Sequence, residues 1–202
     1  MKEQNPAEEL LHIRSMMEQS SRFLSLSGLS GIMAGAFGLI ASIAVHAYLA
    51  FQPSSVTDAP EAVPPSYLLV IGVAVLCLSL LTTILLSWRK AKRASQTLWT
   101  VGAKLLIAKT GIPLLAGGMV VLSFYGLELY GLMAPFSMIF YGLALWVGGR
   151  ASFEELNVLG SLQISLGILS LWMLPYNIWI WGIGFGLLHI VYGLYLHLKY
   201  ER

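Results

Sequence analysis

The sequence predicts an all-α membrane protein: a polytopic helical bundle of six transmembrane helices in antiparallel hairpins, with an N-terminal amphipathic helix ahead of them. Three observations carry this expectation. Hydrophobic residues make up 57% of the 202 residues and charged residues only 11%, against about 25% charged in ordinary soluble domains. The apolar residues gather in long runs, near the roughly 20 residues that a spanning helix needs. All 12 Lys and Arg residues fall at the run ends that an alternating path would bring to one side of a bilayer. Backbone groups in lipid must bond within the protein, so only helices and closed barrels can span. Barrel strands alternate polar and apolar residues over about 10 positions, and these runs are too long and too uniform for that.

Residues 1–23 form the first segment. Within it 5–22 reads as an amphipathic helix. Asn5 is a good N-cap, Pro6 suits the first helical position and Glu8 falls where a capping-box partner would. Leu10, Ile13, Met17 and Phe23 share one stripe. This helix is expected to lie on the cytoplasmic membrane surface and feed the first span, with docking of a cytoplasmic partner as the alternative.

Residues 24–202 form the transmembrane domain, with spans at 24–51, 67–88, 112–129, 132–148, 156–174 and 178–198. The first span does not read as a cleaved signal peptide: its polar leader is long, and its apolar run exceeds the usual 7–15 residues. A Pro- and Ser-rich loop with Asp58 and Glu61 follows it. The basic stretch from Arg89 to Arg93 follows the second span. Residues 95–110 are expected to form a second interfacial helix that joins the third span near Pro113. The short connection at Tyr130-Gly131 requires an antiparallel hairpin, and Pro175-Tyr176-Asn177 marks the last turn.

Positive charge sets the orientation. With the N-terminus inside, Lys2, Arg14, Arg22, Arg89, Lys90, Lys92, Arg93, Lys104, Lys109, Arg150, Lys199 and Arg202 are all cytoplasmic, and both termini are too. The outer loops carry only Asp58, Glu61 and Glu128. A missed span would invert part of this pattern. There is also a weak repeat at a spacing of 51, in which Tyr141-Gly142-Leu143 recurs as Tyr192-Gly193-Leu194. Gly131 matches Gly182 and Ile139 matches Ile190. The last two hairpins could therefore be a duplicated pair, though such coincidences are common in chains rich in Leu and Gly.

Small residues are patterned. Gly28, Gly31, Gly35, Gly38 and Ser42 share one face of the first span, and Gly182, Gly186, His189 and Gly193 share one face of the sixth. Such faces let helix backbones approach closely. The alternative, a face lining a solute path, is weaker. Gly160, Gln163, Gly167 and Ser170 share a face of the fifth span. Counted at 1.5 Å per residue, Gln163 and His189 lie at comparable depth, and they are expected to face one interior and hydrogen-bond. Ionisable groups within a membrane are functional suspects; a plain interhelical hydrogen bond is the structural alternative. The charge distribution implies the lipid bilayer as partner and no nucleic acid. A protein partner at the cytoplasmic face is a candidate, and the oligomeric state stays open.

Further chemistry is sparse. His46 and Glu128 lie near outer span ends, where snorkelling explains them as well as cation binding does. No two histidines suit a haem, because His46 and His189 differ in depth and His12 and His197 are cytoplasmic. No catalytic, metal or cofactor motif stands in a plausible context. Cys77 is expected to be a small packing residue. Trp88, Trp172, Trp179 and Trp181 fall near span ends, as an interfacial belt would.

The opening Ile13-Arg14-Ser15-Met16-Met17-Glu18-Gln19-Ser20-Ser21-Arg22-Phe23-Leu24-Ser25-Leu26-Ser27-Gly28-Leu29-Ser30-Gly31 resembles the start of an uncharacterised family of six-span inner-membrane proteins of Bacteroidota-type bacteria. The resemblance covers mainly this opening and the six-span layout. It implies a bacterial inner-membrane location and carries over no functional residue. Three readings follow. The leading one is a non-enzymatic membrane component that binds a cytoplasmic or membrane partner. The alternative is a small transporter or channel with a polar site around His189 and Gln163. An enzyme is not expected, because polar groups do not cluster as shared chemistry requires.

Overall fold

The computed structural model describes residues 27–51, 64–95, 97, 99–149 and 152–201. The amphipathic helix expected over 5–22, the loop with Asp58 and Glu61, and Arg150 lie outside the described residues. Every regular element among them is helical. In chain order these are α1 (Gly28–Phe51), α2 (Pro65–Arg93), α3 (Val101–Gly126), α4 (Met133–Gly148) and α5 (Glu155–Trp172). The last helix, α6, is composite: an α-helical start at Asn177–Trp181, a π-helical segment at Gly182–Leu188 and an α-helical end at His189–Tyr200.

Five stretches are long and apolar enough to cross a membrane: Gly28–Tyr48, Pro65–Arg93, Val101–Gly126, Tyr130–Gly148 and Leu174–Tyr200. The sixth helix, α5, has 18 residues, and Glu155, Asn157 and Gln163 lower its apolar character.

The third helix differs from its expected form. Residues 101–110 are not a separate interfacial helix but the first turns of α3, which runs unbroken through Pro113. Thr100 starts it, its side chain accepting from the Ala103 N–H at 3.2 Å, as an N-cap does. Ser95, with φ at 53°, stands in the turn after α2. Pro113 removes one main-chain donor, a loss that membrane helices tolerate.

Two seams of close backbone contact hold the centre. In the first, a methyl group added at Gly28 would meet the His197 nitrogen at 2.5 Å and the Gly193 oxygen at 2.7 Å. At Gly31 it would meet the Gly193 Cα at 2.9 Å, at Gly35 the Gly186 oxygen at 2.6 Å, and at Gly38 the Phe185 oxygen at 2.6 Å. Gly182 faces Ser42. Residue numbers rise along α1 as they fall along α6, so the two helices run antiparallel with their glycine faces together. The second seam joins α4 and α5. A methyl at Gly142 would meet the Gly160 oxygen at 2.7 Å, and one at Gly167 the Pro135 oxygen at 2.9 Å. The small-residue faces expected on spans one, five and six all pack closely, and α4 joins them through Gly142.

The other two helices are peripheral. Ser87 and Ala91 are the buried residues of α2, and Gly102, Ala103 and Gly117 those of α3. Large apolar side chains such as Val70, Leu81, Ile112 and Leu115 stand exposed. A water-facing surface would not carry so many; a lipid-facing one does. Cys77 is exposed on α2 rather than packed, because that helix turns little of its surface inward.

Candidate functional site

The site begins with a local conflict in α6. Gly182, Gly184 and Gly186 occupy alternate positions, and each weakens an α-helix by about 1 kcal/mol relative to Ala. The helix widens here into the seven-residue π segment Gly182–Leu188. Segments of this kind occur often at functional sites. His189 follows directly and is 5% exposed. Its Nδ1 lies 2.9 Å from the Gly184 carbonyl oxygen, and its Nε2 lies 2.9 Å from the Tyr141 hydroxyl on α4. A carbonyl only accepts, so Nδ1 carries the hydrogen. In the neutral ring Nε2 is then the acceptor, and Tyr141 donates to it.

Gln163 approaches the same backbone from α5 and is fully buried. A methyl at Gly184 would collide with Gln163 Oε1 and would meet Met138 Cε at 3.0 Å. Neither Nε2 nor Oε1 of Gln163 has a hydrogen-bond partner in the protein. The expected hydrogen bond between Gln163 and His189 is therefore not made, since Gly184 and Tyr141 occupy both nitrogens of the ring. The two side chains nevertheless converge on Gly184. The buried hydroxyls of Ser170 and Tyr192 also lack protein partners. Phe185 forms an aromatic wall, with ring centroids 5.0 Å from Tyr141, 4.8 Å from Trp181 and 5.8 Å from His189.

His46 and Glu128 are not part of this cluster. His46 Nδ1 lies 2.9 Å from the Ser42 oxygen, and its ring packs 3.7 Å from that of Trp179. Glu128 is exposed in the turn after α3, with φ at 61°. Trp88, Trp172 and Trp179 are exposed, while Trp181 is half-buried against Phe185. Among the described residues no three His, Cys, Asp or Glu gather as metal ligands.

A second polar cluster lies at the far end of α6. Glu201 Oε1 accepts from the Gly28 N–H at 2.9 Å and from Lys90 Nζ at 3.0 Å, and Glu201 Oε2 accepts from His197 Nδ1 at 2.6 Å. One carboxylate thus caps α1 and ties it to the ends of α2 and α6. Burial alone would raise the Glu201 carboxyl, but the hydrogen bonds from His197, Gly28 and Lys90 hold it below the usual carboxylate range. Beside it, Glu155 at the start of α5 accepts from Lys199 Nζ at 2.6 Å and from the Tyr200 hydroxyl at 3.0 Å. Burial again opposes these bonds and loses, so the Glu155 carboxyl is lowered.

No protein-family model, curated protein or solved structure matches this chain. Its class is therefore set by its own helices: an all-α bundle with five stretches long and apolar enough to cross a membrane, a neutral polar cluster in its interior and a charged clasp at one end.

Sequence reasoning missed Tyr141 and Glu201 as polar partners, and Tyr192 as a buried hydroxyl. A tyrosine inside an apolar run was a usable signal, because a buried phenol seeks a partner. Both tyrosines entered only as letters of the repeat. Glu201 gave no signal, since a carboxylate beyond the last span looks like any solvated end.

Proposed function

We propose that the protein is a six-span protein of the bacterial inner membrane, its spans in antiparallel hairpins and both termini cytoplasmic. It acts there as a small transporter or channel rather than an enzyme, holding a small polar solute around Gln163 and His189. The observation that carries this reading is Gln163: a fully buried amide, neither end of which has a protein partner. An unpartnered buried polar group costs about 1–3 kcal/mol, so a bundle with only a structural role gains nothing by keeping it.

The topology has its own support. The clasp gathers the start of α1, the end of α2, the start of α5 and the end of α6 at one face. That is the arrangement expected if α5 crosses the membrane like its neighbours. The face carries the basic run Arg89, Lys90, Lys92 and Arg93, which the positive-inside rule places in the cytoplasm. The inner-membrane assignment leans on the resemblance of residues 13–31. The partner-binding reading rests on the amphipathic leader, the basic segment 89–110 and the sparse membrane interior; Lys90 of that segment is engaged within the protein.

The test is solute entry into proteoliposomes, followed by stopped-flow light scattering, over a panel of small neutral and charged solutes. At least one solute should enter faster than into protein-free vesicles, and His189→Leu should slow that entry. If every solute enters at the protein-free rate, the transport reading is wrong.

A further inference from the structure

Among the described residues, five have buried polar side-chain atoms without a protein partner: Ser87 on α2, Asn157 near the start of α5, Gln163, Ser170 and Tyr192. The last three lie at successive depths of α5 and α6. Gln163 is level with Gly184, which its side chain abuts. Ser170 lies seven residues further along α5, about 10 Å toward the end opposite the clasp at 1.5 Å per residue. Tyr192 lies eight residues beyond Gly184 on α6, about 12 Å toward the clasp. The hydroxyls of Ser170 and Tyr192 are buried without protein partners, as both ends of the Gln163 amide are. Counted along the two helices, these groups are hydrogen-bonding stations at three depths, with the amide in the middle.

Their chemistry restricts what they can hold. None of them carries a full charge. The charged side chains seen at the end of α6, namely Lys90, Glu155, Lys199 and Glu201, are paired with one another and with neighbouring groups at the clasp. A charged solute beside Gln163 would leave water with no counter-charge to meet it, which the membrane interior penalises heavily. The side chain of Gln163 offers a donor and an acceptor two bonds apart. A single hydroxyl meets these one at a time, whereas a molecule with its own adjacent donor and acceptor meets both through two parallel hydrogen bonds.

We infer that the interior site takes a small uncharged solute with a hydrogen-bond donor beside an acceptor, as in a primary carboxamide or a urea, paired edge to edge with the Gln163 amide. This rests on the proposed solute site and names its ligand class. Tyr192 and Ser170 supply single hydrogen bonds on either side of the central station.

The probes are urea, acetamide, glycerol and guanidinium at equal millimolar concentrations, with the full-length protein in proteoliposomes. Urea and guanidinium have nearly the same shape and differ in charge; glycerol is neutral but offers only hydroxyls. Urea and acetamide should enter several-fold faster than into protein-free vesicles, guanidinium at the protein-free rate, and glycerol in between. Gln163→Met should reduce urea entry to the protein-free rate while the purified variant melts no lower than wild type, which separates lost binding from lost folding. The inference is overturned if guanidinium enters as fast as urea, if glycerol outpaces both amides, or if urea entry survives in Gln163→Met. In those cases a solute still crosses, and the transport reading stands. If nothing in the panel crosses, that reading fails together with the ligand class.

Discussion

Two polar clusters sit on the same helix, twelve residues apart, and they are built on opposite terms. At the end of α6, Glu201 has three protein donors and Glu155 has two. Around Gly184 no full charge is present, and the amide of Gln163 is unpartnered at both ends. The difference follows from the surroundings. Water can reach the end of the bundle and share the cost of desolvating ions, so charge can be used there to join helices. In the apolar middle an ion is costly, and only neutral donors and acceptors are tolerable. Satisfied groups hold the structure together, whereas unsatisfied ones mark where something else can bind. Stability should therefore respond to changes at the clasp and binding to changes at Gln163.

The largest effect should come from Glu201→Ala. The substitution removes the cap of α1 and leaves Lys90 and His197 without their shared carboxylate. Charged hydrogen bonds are worth about 1.5–3 kcal/mol, so a loss of about 2–3 kcal/mol is expected. A thermal melt of the detergent-purified protein should show a lower midpoint. An unchanged midpoint would mean that the clasp is ornamental and that the glycine seams hold the bundle alone.

Acid should act on the same contacts. Both Glu201 and Glu155 have folded-state pKa values lowered by their donors. Their contribution is then fully present above the ordinary carboxylate value near 4.5, and it is lost as pH falls through the lower folded values. Melting midpoints should hold steady toward neutral pH and drop below about pH 4.5. The drop should be smaller in Glu201→Ala, which has already lost one of the two groups. A wild-type midpoint that rises on acidification would contradict the assignment.

At the interior cluster the sign reverses. Gln163→Met keeps roughly the same length and removes an amide without protein partners. Ligand-free protein should gain up to about 1–2 kcal/mol, the desolvation penalty no longer carried. A clear loss of stability would show that Gln163 is an ordinary structural residue, and the contrast between the two clusters would collapse.

How much of this was legible beforehand depends on what each feature needs. The α1 and α6 glycine faces were readable from spacing alone, because a helix of known period puts Gly28, Gly31, Gly35 and Gly38 in one row whatever they touch. That these rows meet each other is a tertiary fact. Convergence of Gln163 and His189 followed from depth counting. Their hydrogen bond did not form, because the π segment presents the Gly184 carbonyl to the ring and Tyr141 comes in from α4. Neither is visible without the three-dimensional register. Gly142 on α4 and Gly193 on α6, matched in the repeat at a spacing of 51, both sit at close helix crossings, against α5 and α1 respectively. The tyrosines beside them diverge: Tyr141 reaches His189, and Tyr192 has no protein partner. Glu128 and Ser95 adopt positive φ with no residue-type signal beyond their place in turns.

The smallest expected effect is the most specific. Tyr141→Phe keeps the ring that packs on Phe185 and removes only the hydroxyl that donates to His189 Nε2. Interhelical hydrogen bonds in membranes average about 0.6 kcal/mol, so the melting midpoint should fall only slightly, less than in Glu201→Ala. The imidazole should respond more than the stability does. With Tyr141 present, Nδ1 holds its hydrogen against the Gly184 carbonyl and Nε2 is a satisfied acceptor. Without it, Nε2 becomes a buried acceptor with no donor, in the same condition as the Gln163 amide. Nitrogen NMR of labelled His189 should therefore keep the Nδ1–H tautomer in both proteins and show a change at Nε2 alone. If the tautomer switches, the Gly184 carbonyl is not what fixes the ring. The π segment then loses its assigned part in shaping the site.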